Sequence, residues 1–324
     1  QQQVYFQSGE TRSVAFRLKQ LRKLKDVVVQ NESLIFGSLK KDLNKSAFES
    51  YETEIGFVIE ELSYQIKHLK RWAKPRRVKN PITNFPASSY ITHEPKGNVL
   101  IMAPWNYPFQ LVFVPLIGAL AAGNTVVVKP SEISIATAEV IKKILNNAFD
   151  TNYIEVVIGG PETGQALLKQ EFNHIFFTGS QGVGQIVLES AAPKMIPVTL
   201  ELGGKSPCIA DERIHVKQTA RRIIWGKLIN AGQTCIAPNC LFVHENVKDD
   251  LLPELVKAIQ KFYGVDPEQS DEYPRIINQN NMDRLVEMVH NADVYWGGKY
   301  NREKLYFEPT ILDNVDFDMA VMKK

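Results

Sequence analysis

The sequence contains little cysteine and little excess charge, and both shortages narrow the range of functions. Cys208, Cys235 and Cys240 are the only cysteines among 324 residues, and no C-x-x-C pair occurs. We therefore expect neither a disulfide framework nor a zinc finger. We expect the protein to lie in a reducing compartment, the cytoplasm. The 38 basic and 36 acidic residues leave a net charge of +2, which gives no reason to expect nucleic acid as a partner.

Long apolar runs are also missing. The longest, Leu111 to Gly123, is interrupted by Pro115 and is too short to cross a bilayer about 30 Å thick. The basic stretch from Lys67 to Arg77 has apolar residues between its charges, which is typical of a solvated helix face. The polar N-terminus shows no signal peptide. Its segment from Val4 to Ser8 resembles a protease cleavage site, but a native origin stays open.

The pattern of apolar residues along the chain changes after the first 93 residues. Helical spacing extends from Phe16 to about Trp72, and the segment from Asn80 to His93 has the prolines and alternation of a hairpin arm. From Asn98 to Leu202, short apolar strands alternate with helices. This alternation predicts an α/β protein with a doubly wound parallel sheet, followed by a second αβ region from about Gly203.

Polar residues follow several of these strands, at the edge where such sheets bind ligands. Thr178 to Gly184 is a glycine-rich turn that opens a helix, where backbone N–H groups favour a phosphate, although an ordinary tight turn would look the same. Lys129 and Glu132 can hold a ribose diol. Alternatively, they are surface charges beside a helix capped by Ser131.

Two further polar residues suit carbonyl chemistry. The Asn106 amide can donate to a developing oxyanion, although a turn or capping asparagine is the ordinary alternative. Glu201 lies between two leucines and before two glycines, so we expect it to be shielded from water and able to act as a general base. The alternative is a buried acid neutralised by a lysine such as Lys205.

Cys235 completes the set of candidate residues. It lies in the segment Asn230 to Pro238, among small and polar residues that do not suit core filling, so we interpret it as a nucleophile. The apolar context of Cys208 fits a small buried thiol better. Cys240, which precedes the apolar run Leu241 to Val243, is less clear.

These segments together resemble the aldehyde dehydrogenase superfamily, in its usual order. The match rests on Ala103–Pro108, Lys129–Glu132, Phe177–Ser180, Leu200–Pro207 and Gly232–Cys235, and Phe307–Leu312 is also similar. Cys235 to Pro238 looks most like the class 3 and fatty aldehyde dehydrogenase branch. The resemblance implies a Rossmann-like dinucleotide-binding domain (1–79 and 94–203), a protruding oligomerisation hairpin (80–93) and a catalytic domain (204–324).

The resemblance also implies a mechanism. Cys235 would attack the aldehyde, Asn106 and the Cys235 backbone N–H would hold the oxyanion, and Glu201 would activate water against the thioester. NAD or NADP would serve as cofactor. The implied cofactor residues are Trp105, Lys129, Glu132, Gly179, Ser180, Val183 and Leu202; no metal is implied.

Several expectations concern specificity and assembly. The aromatic residues Trp105, Tyr107 and Phe109 suggest a medium- or long-chain aliphatic or an aromatic aldehyde, unless their rings are helix packing. An enzyme that passes the thioester to coenzyme A, or a non-catalytic or truncated nucleotide-binding relative, is the alternative. The family normally continues beyond Lys324, so we expect an incomplete catalytic domain. We expect a homodimer or larger, with membrane association only through that unseen C-terminal part.

Overall fold

The computed structural model describes residues 1–323 and divides into two compact units. The first unit comprises residues 1–35 and 51–201, and the second comprises residues 36–50 together with the chain from Leu202 onward. The domain bounds expected from the sequence assign residues 36–50 to the first domain instead. Backbone hydrogen bonding explains the difference, because Leu43 accepts the N–H of Arg275 at 2.8 Å, within the second unit.

The α-helices and β-strands are numbered along the chain. The helices are α1 Gln2–Gln7, α2 Val14–Gln30, α3 Glu32–Leu43, α4 Ala47–Ser50, α5 Gly56–Trp72, α6 Gln110–Ala122, α7 Ile135–Ala148, α8 Pro161–Leu168, α9 Gln181–Ala191, α10 Val216–Leu228, α11 Glu245–Tyr263, α12 Gln279–Val289 and α13 Ala320–Lys323. The strands are β1 Arg76–Val78, β2 Ser89–Ile91, β3 Asn98–Met102, β4 Thr125–Lys129, β5 Ile154–Val156, β6 His174–Gly179, β7 Val198–Leu202, β8 Pro207–Ala210, β9 Cys240–Val243, β10 Asp293–Trp296, β11 Tyr300–Asn301, β12 Tyr306–Phe307 and β13 Ile311–Asp313.

The first unit is built on a five-stranded sheet with the order β5-β4-β3-β6-β7. The pairs β3–β4, β3–β6 and β4–β5 are parallel. Every residue of β3 and β4 is buried, as expected for strands covered on both faces. The chain winds outward from β3 through β4 to β5, and then crosses over to β6 on the other side of β3. This order confirms the predicted doubly wound α/β fold.

The predicted arm is a hairpin whose strands begin earlier than the sequence suggested. β1 and β2 pair antiparallel, with Arg76 opposite Ile91 and Val78 opposite Ser89. The apolar side chains of Ile82 and Phe85 between the strands are 91% and 84% exposed. The arm therefore presents apolar surface that the first unit itself does not cover.

The second unit packs two helices against short strands. α10 and α11 share a core in which Ile224 and Leu228 are buried together with Leu251 and Leu255. β8 pairs parallel with β9, with Cys208 opposite Leu241. These elements agree with the second αβ region expected from about Gly203, but the sequence did not indicate β8 or the short strands β10 to β13. Such short strands carry too few residues to show an alternation.

Candidate active site

The polar residues that follow β3 and β6 lie at the point where the strand order reverses. β3 and β6 are neighbours, with Met102 opposite Phe177 near their carboxyl ends. Trp105 and Asn106 follow β3, and Ser180 follows β6. In doubly wound sheets, a crevice forms at such a point and binds ligands. The first unit therefore brings these two predicted segments to one edge of the sheet.

Asn106 lies half-buried in the corner between β3 and α6. The start of α6 is fixed by Glu54, which is fully buried and accepts the backbone N–H groups of Phe109 at 3.0 Å and Gln110 at 2.9 Å. These are the N–H groups that a helix start leaves without a partner. Glu54 thus holds the corner that presents Asn106.

The expectation that Phe109 lines a substrate pocket is wrong. Phe109 is fully buried and stacks on Phe113, with ring centroids 4.1 Å apart. Tyr107 is only 8% exposed, whereas Trp105 is half-buried. The reason is the register of α6, which directs position 109 into the core beside position 113, one turn later. The alternative interpretation, helix packing, holds for Phe109.

Lys129 and Glu132 form an ion pair after β4. The Lys129 ammonium lies 2.7 Å from Glu132 Oε2, and Lys129 is only 6% exposed. Partial burial raises the pKa of Glu132, but the hydrogen bond from Lys129, a backbone hydrogen bond and the positive charge of Lys129 together outweigh it, so the pKa lies below its usual value. The alternative in which Ser131 caps a helix is wrong, because α7 begins after Ser134 and Ser131 Oγ accepts the Ile133 N–H at 3.2 Å instead.

The glycine-rich turn opens α9 as predicted. Ser180 is the N-cap, and its hydroxyl accepts the N–H of Val183 at 3.4 Å. Val183 is 44% exposed, and a side chain added at Gly182 would meet no atom within 4 Å. The N-terminus of an 11-residue helix therefore faces open space with its dipole directed outward, which favours a phosphate.

Glu201 is exposed, and the expectation that it is shielded from water is wrong. β7, which carries Glu201 and the half-buried Leu202, is an edge strand of the five-stranded sheet. Glycines at positions 203 and 204 follow it and add no side chains that could cover the carboxylate. A carboxylate in contact with water remains a candidate general base that water can reach directly.

Cys235 belongs to the second unit and differs from the other two thiols. It is exposed, whereas Cys208 and Cys240 are half-buried on β8 and β9, and all three are free. Burial raises the pKa of the Cys208 thiol, which disfavours its reactive form. Cys235 lies in a turn closed by a hydrogen bond from the Ala237 N–H to the Thr234 carbonyl at 3.1 Å. Accessibility singles out Cys235 as the candidate nucleophile.

Buried polar residues that support these loops were missed from the sequence. Glu54 falls four residues before Val58 and eight before Leu62, both buried, so the available signal was that it extends the apolar stripe of α5 one turn towards the N-terminus. No such signal marks Glu49. The nearby Glu52 has similar neighbours in the sequence but is exposed, so the local sequence does not distinguish the buried glutamate from the exposed one. The contact of Glu49 is with Asn230, and a pairing across 181 residues leaves no local pattern.

Other features of the structure lie away from these residues. A cavity of about 290 Å³ in the first unit is lined by Glu171, Phe172 and Asn173, which precede β6, so it is at the opposite edge of the sheet. Within residues 1–323, no group of three or more His, Cys, Asp or Glu residues could hold a metal ion. Among the same residues, each helix is too short or too polar to span a lipid bilayer.

The fold and these residues define a doubly wound α/β protein with an exposed thiol in a second αβ unit. The aldehyde dehydrogenase family model matches residues 3–324, so the chain belongs to the aldehyde dehydrogenase family. It is an oxidoreductase that oxidises aldehydes to carboxylic acids. The family resemblance seen in the sequence is thereby confirmed.

Individual relatives agree with this family. The 4,4'-diaponeurosporen-aldehyde dehydrogenase of Staphylococcus aureus is 47% identical over 322 residues, which cover 99% of this chain and 70% of the relative. The dimeric NADP-preferring aldehyde dehydrogenase of Rattus norvegicus is 42% identical, and the match covers 98% of this chain and 70% of the rat protein. The structure of S. aureus AldH in a substrate-bound state superimposes with a TM-score of 0.97 at 46% identity, covering all of this chain and 71% of that one.

Proposed function

We propose that the oxidation proceeds by covalent catalysis at Cys235. The observation that carries the proposal is the exposure of this thiol in a turn, whereas the other two cysteines are half-buried on neighbouring strands. The Cys235 thiolate adds to the carbonyl carbon of the aldehyde, and the carbonyl oxygen becomes the oxyanion of a thiohemiacetal. The Asn106 amide and the Cys235 backbone N–H donate hydrogen bonds to that oxyanion and stabilise it.

The second half of the reaction is assigned to Glu201. Once the thiohemiacetal carbon has lost its hydride, the acyl group remains on Cys235 as a thioester. Glu201 takes a proton from water, the hydroxide oxygen forms a bond with the acyl carbon, and the bond from that carbon to sulfur breaks. The products are a carboxylic acid and the free thiol. The exposure of Glu201 supports this role, because water reaches its carboxylate.

The residues of the first unit fit a nicotinamide dinucleotide, which accepts the hydride when bound. The N-terminus of α9, capped by Ser180, suits the pyrophosphate, with Gly179 and Val183 beside it. The Lys129–Glu132 pair suits the ribose, because the carboxylate accepts hydroxyl protons and the buried lysine fixes its position. We assign Trp105 and Leu202 to the same cofactor.

We propose that both NAD and NADP are accepted. The negative charge of Glu132 disfavours a 2′-phosphate, whereas the adjacent Lys129 offsets that charge. The NADP preference of the rat relative supports acceptance of the phosphorylated form. The ratio of kcat/KM for the two cofactors tests this assignment directly, and a strict preference for either one would overturn it.

The proposed substrate is an apolar aldehyde of medium or long chain, or an aromatic one. Ile236 follows the nucleophile directly and is 79% exposed, so an apolar side chain adjoins the reacting thiol. The substrate of the S. aureus relative, 4,4'-diaponeurosporen-aldehyde, supports the same class. We expect kcat/KM to rise with chain length from short to long aliphatic aldehydes. No rise would contradict this substrate class.

The decisive experiment measures aldehyde-dependent NAD(P)H formation by the full-length protein and its Cys235→Ala variant. We expect the variant to lose turnover, while Cys240→Ala, which removes a neighbouring half-buried thiol, keeps it. Glu201→Gln should retain the first burst of NAD(P)H but turn over slowly. Activity in Cys235→Ala would refute covalent catalysis. Stimulation by coenzyme A, with an acyl thioester as product, would favour the acylating alternative.

We also propose a homodimer or larger assembly formed through the β1–β2 arm. Ile82 and Phe85 at its end are large apolar side chains exposed to solvent, which is characteristic of protein contact surfaces. The rat relative, which is dimeric, supports this assembly. Light scattering should show that a double variant, Ile82→Asp with Phe85→Asp, dissociates into monomers; an unchanged mass would exclude the arm as the contact.

A further inference from the structure

The loop that carries Cys235 begins with an unusual backbone conformation. Asn230, Ala231 and Gly232 have consecutive positive φ angles of 55°, 51° and 78°. Glycine adopts this conformation freely and asparagine tolerates it, but alanine does so only at an energetic cost, because its Cβ approaches the backbone. Such a turn persists only where surrounding groups hold it in place. The contacts around Asn230 therefore determine the geometry of the loop.

Glu49 provides the most buried of these contacts. Its Oε1 accepts the backbone N–H of Asn230 at 2.7 Å. Glu49 is only 6% exposed and Asn230 is fully buried, so water does not compete with this bond. A buried N–H that loses its acceptor is left without compensation for the loss of water, which makes such a bond costly to break.

Gln233 provides a second tie, to another segment of the same unit. Its amide Nε2 donates to the carbonyls of Asn230 at 3.1 Å and Arg275 at 3.0 Å, and its Oε1 accepts the N–H of Ile277 at 3.1 Å. The backbone N–H of Arg275 donates in turn to the carbonyl of Leu43 at 2.8 Å. All these residues belong to the second unit.

These bonds form a closed ring. The segment 36–50 binds the loop through Glu49 and the segment 275–277 through Leu43, while Gln233 joins the loop to 275–277. A ring of three segments resists displacement of any one member, because moving it breaks bonds to the other two. The turn before Cys235 is therefore fixed from two sides.

We propose that Glu49 is a positioning residue for the nucleophile, acting through the backbone of Asn230. The inference rests on the proposed role of Cys235. Cys235 is the fifth residue after Asn230, and the turn at Thr234 to Ala237 lies between Asn230 and β9. The direction of the Cys235 N–H, which must point at the oxyanion, follows from the orientation of these peptide planes. A loop that relaxes would misdirect this donor without removing it.

The test uses the full-length enzyme with Glu49→Ala, Glu49→Gln and the exposed Glu303→Gln as a control in the same unit. We expect Glu49→Ala to lower kcat by about tenfold or more, with KM for aldehyde within about twofold, because one buried hydrogen bond is lost at a distance from the substrate. Glu49→Gln keeps an acceptor oxygen at the same reach and should retain more kcat. Glu303→Gln should match the wild type.

Hydrogen exchange reports the bond itself. In Glu49→Ala, amide exchange in the peptide 229–239 should accelerate about tenfold or more, while the helices α10 and α11 keep their protection. A global loss of stability would instead accelerate exchange everywhere. Wild-type kcat and wild-type exchange in Glu49→Ala would overturn the proposal, as would equal losses in the alanine and glutamine variants.

Two further measurements keep the outcomes separable. If Glu49→Ala does not fold, Gln233→Met removes the second tie without changing the buried acid, and it should show the same fall in kcat and the same local exchange. Wild-type kcat and wild-type hydrogen exchange in Gln233→Met would show that the ring of hydrogen bonds does not position the loop. Activity in Cys235→Ala would refute the proposed nucleophile, whereas an inactive Cys235→Ala beside a fully active Glu49→Ala would refute only the positioning role.

Discussion

Glu54 and Phe109 are 55 residues apart in sequence, yet the carboxylate of the first accepts the backbone N–H of the second at 3.0 Å in the core of the first unit. The same oxygen accepts the Gln110 N–H. Glu54→Ala removes that acceptor from one buried and one partly buried N–H, so the free energy of unfolding should fall by about 1–3 kcal/mol. Urea denaturation measures it. As a control, alanine at the exposed Glu139 on α7 should change the free energy of unfolding by no more than about 0.5 kcal/mol. Equal losses of stability in the two variants would contradict a stabilising role for Glu54 at the start of α6.

Asn106 should matter for rate rather than for substrate binding. Asn106→Ala removes the proposed side-chain donor to the oxyanion, and loss of one such donor typically lowers kcat by about 10²–10³-fold. KM for aldehyde should change little, because the charge develops only after attack. Steady-state kinetics check this, with the exposed Asn147→Ala as the matched control. A rise in KM at constant kcat would show that Asn106 only binds the substrate.

The Lys129–Glu132 pair should control cofactor preference. Glu132→Gln removes the negative charge and leaves Lys129 buried beside a neutral amide. The ratio of kcat/KM for NADP to that for NAD should therefore rise. Lys129→Met should weaken both cofactors, because the carboxylate loses the partner that orients it. The exposed Glu162→Gln on α8 serves as control, and an unchanged ratio in Glu132→Gln would remove this pair from the cofactor site.

Glycine substitutions should have opposite effects at two alanines of the second unit. At Ala231, with φ of 51°, glycine relieves the left-handed conformation, so stability should be kept or increased. At Ala220, fully buried inside α10, glycine should cost about 1 kcal/mol or more. Thermal unfolding of the two variants compares them directly. A loss at Ala231 as large as that at Ala220 would show that the methyl group there makes essential contacts.

His174 should contribute to loss of stability in acid. Burial and then nearby Lys96 lower the pKa of His174, while its Nε2 lies 3.2 Å from Thr199 Oγ1. Because the unfolded chain binds the proton more readily, stability is present above the ordinary pKa of about 6.5 and decreases as pH falls below it. His174→Gln should flatten this decrease in urea midpoints measured from pH 7 to 5. The exposed His93→Gln should leave the slope unchanged.

The sequence predicted the alternating sheet well, because each central strand is a short run of buried β-branched and aliphatic residues bounded by polar turns. It did not predict the exposure of Glu201, because an edge strand and a central one share the same local pattern. Glu49 and Glu54 were missed for another reason. Their partners lie 181 and 55 residues away, and only the folded chain brings those backbone groups to them. In the local sequence, a buried glutamate does not differ from an exposed one.

The pairing of β3 with β6 has a consequence for how the molecule assembles. Asn98 and Asn173, joined by a hydrogen bond at 2.8 Å where these strands begin, are 75 residues apart, and β4, α7 and β5 form within that interval. Contacts between residues this far apart in sequence form slowly. The intervening loop loses conformational entropy before the contacts stabilise the pairing. On a growing ribosomal chain, the edge that holds Trp105 and Ser180 therefore comes into being only after β6 has been synthesised. Until that time, one side of β3 has unpaired backbone N–H and C=O groups that another strand could bind.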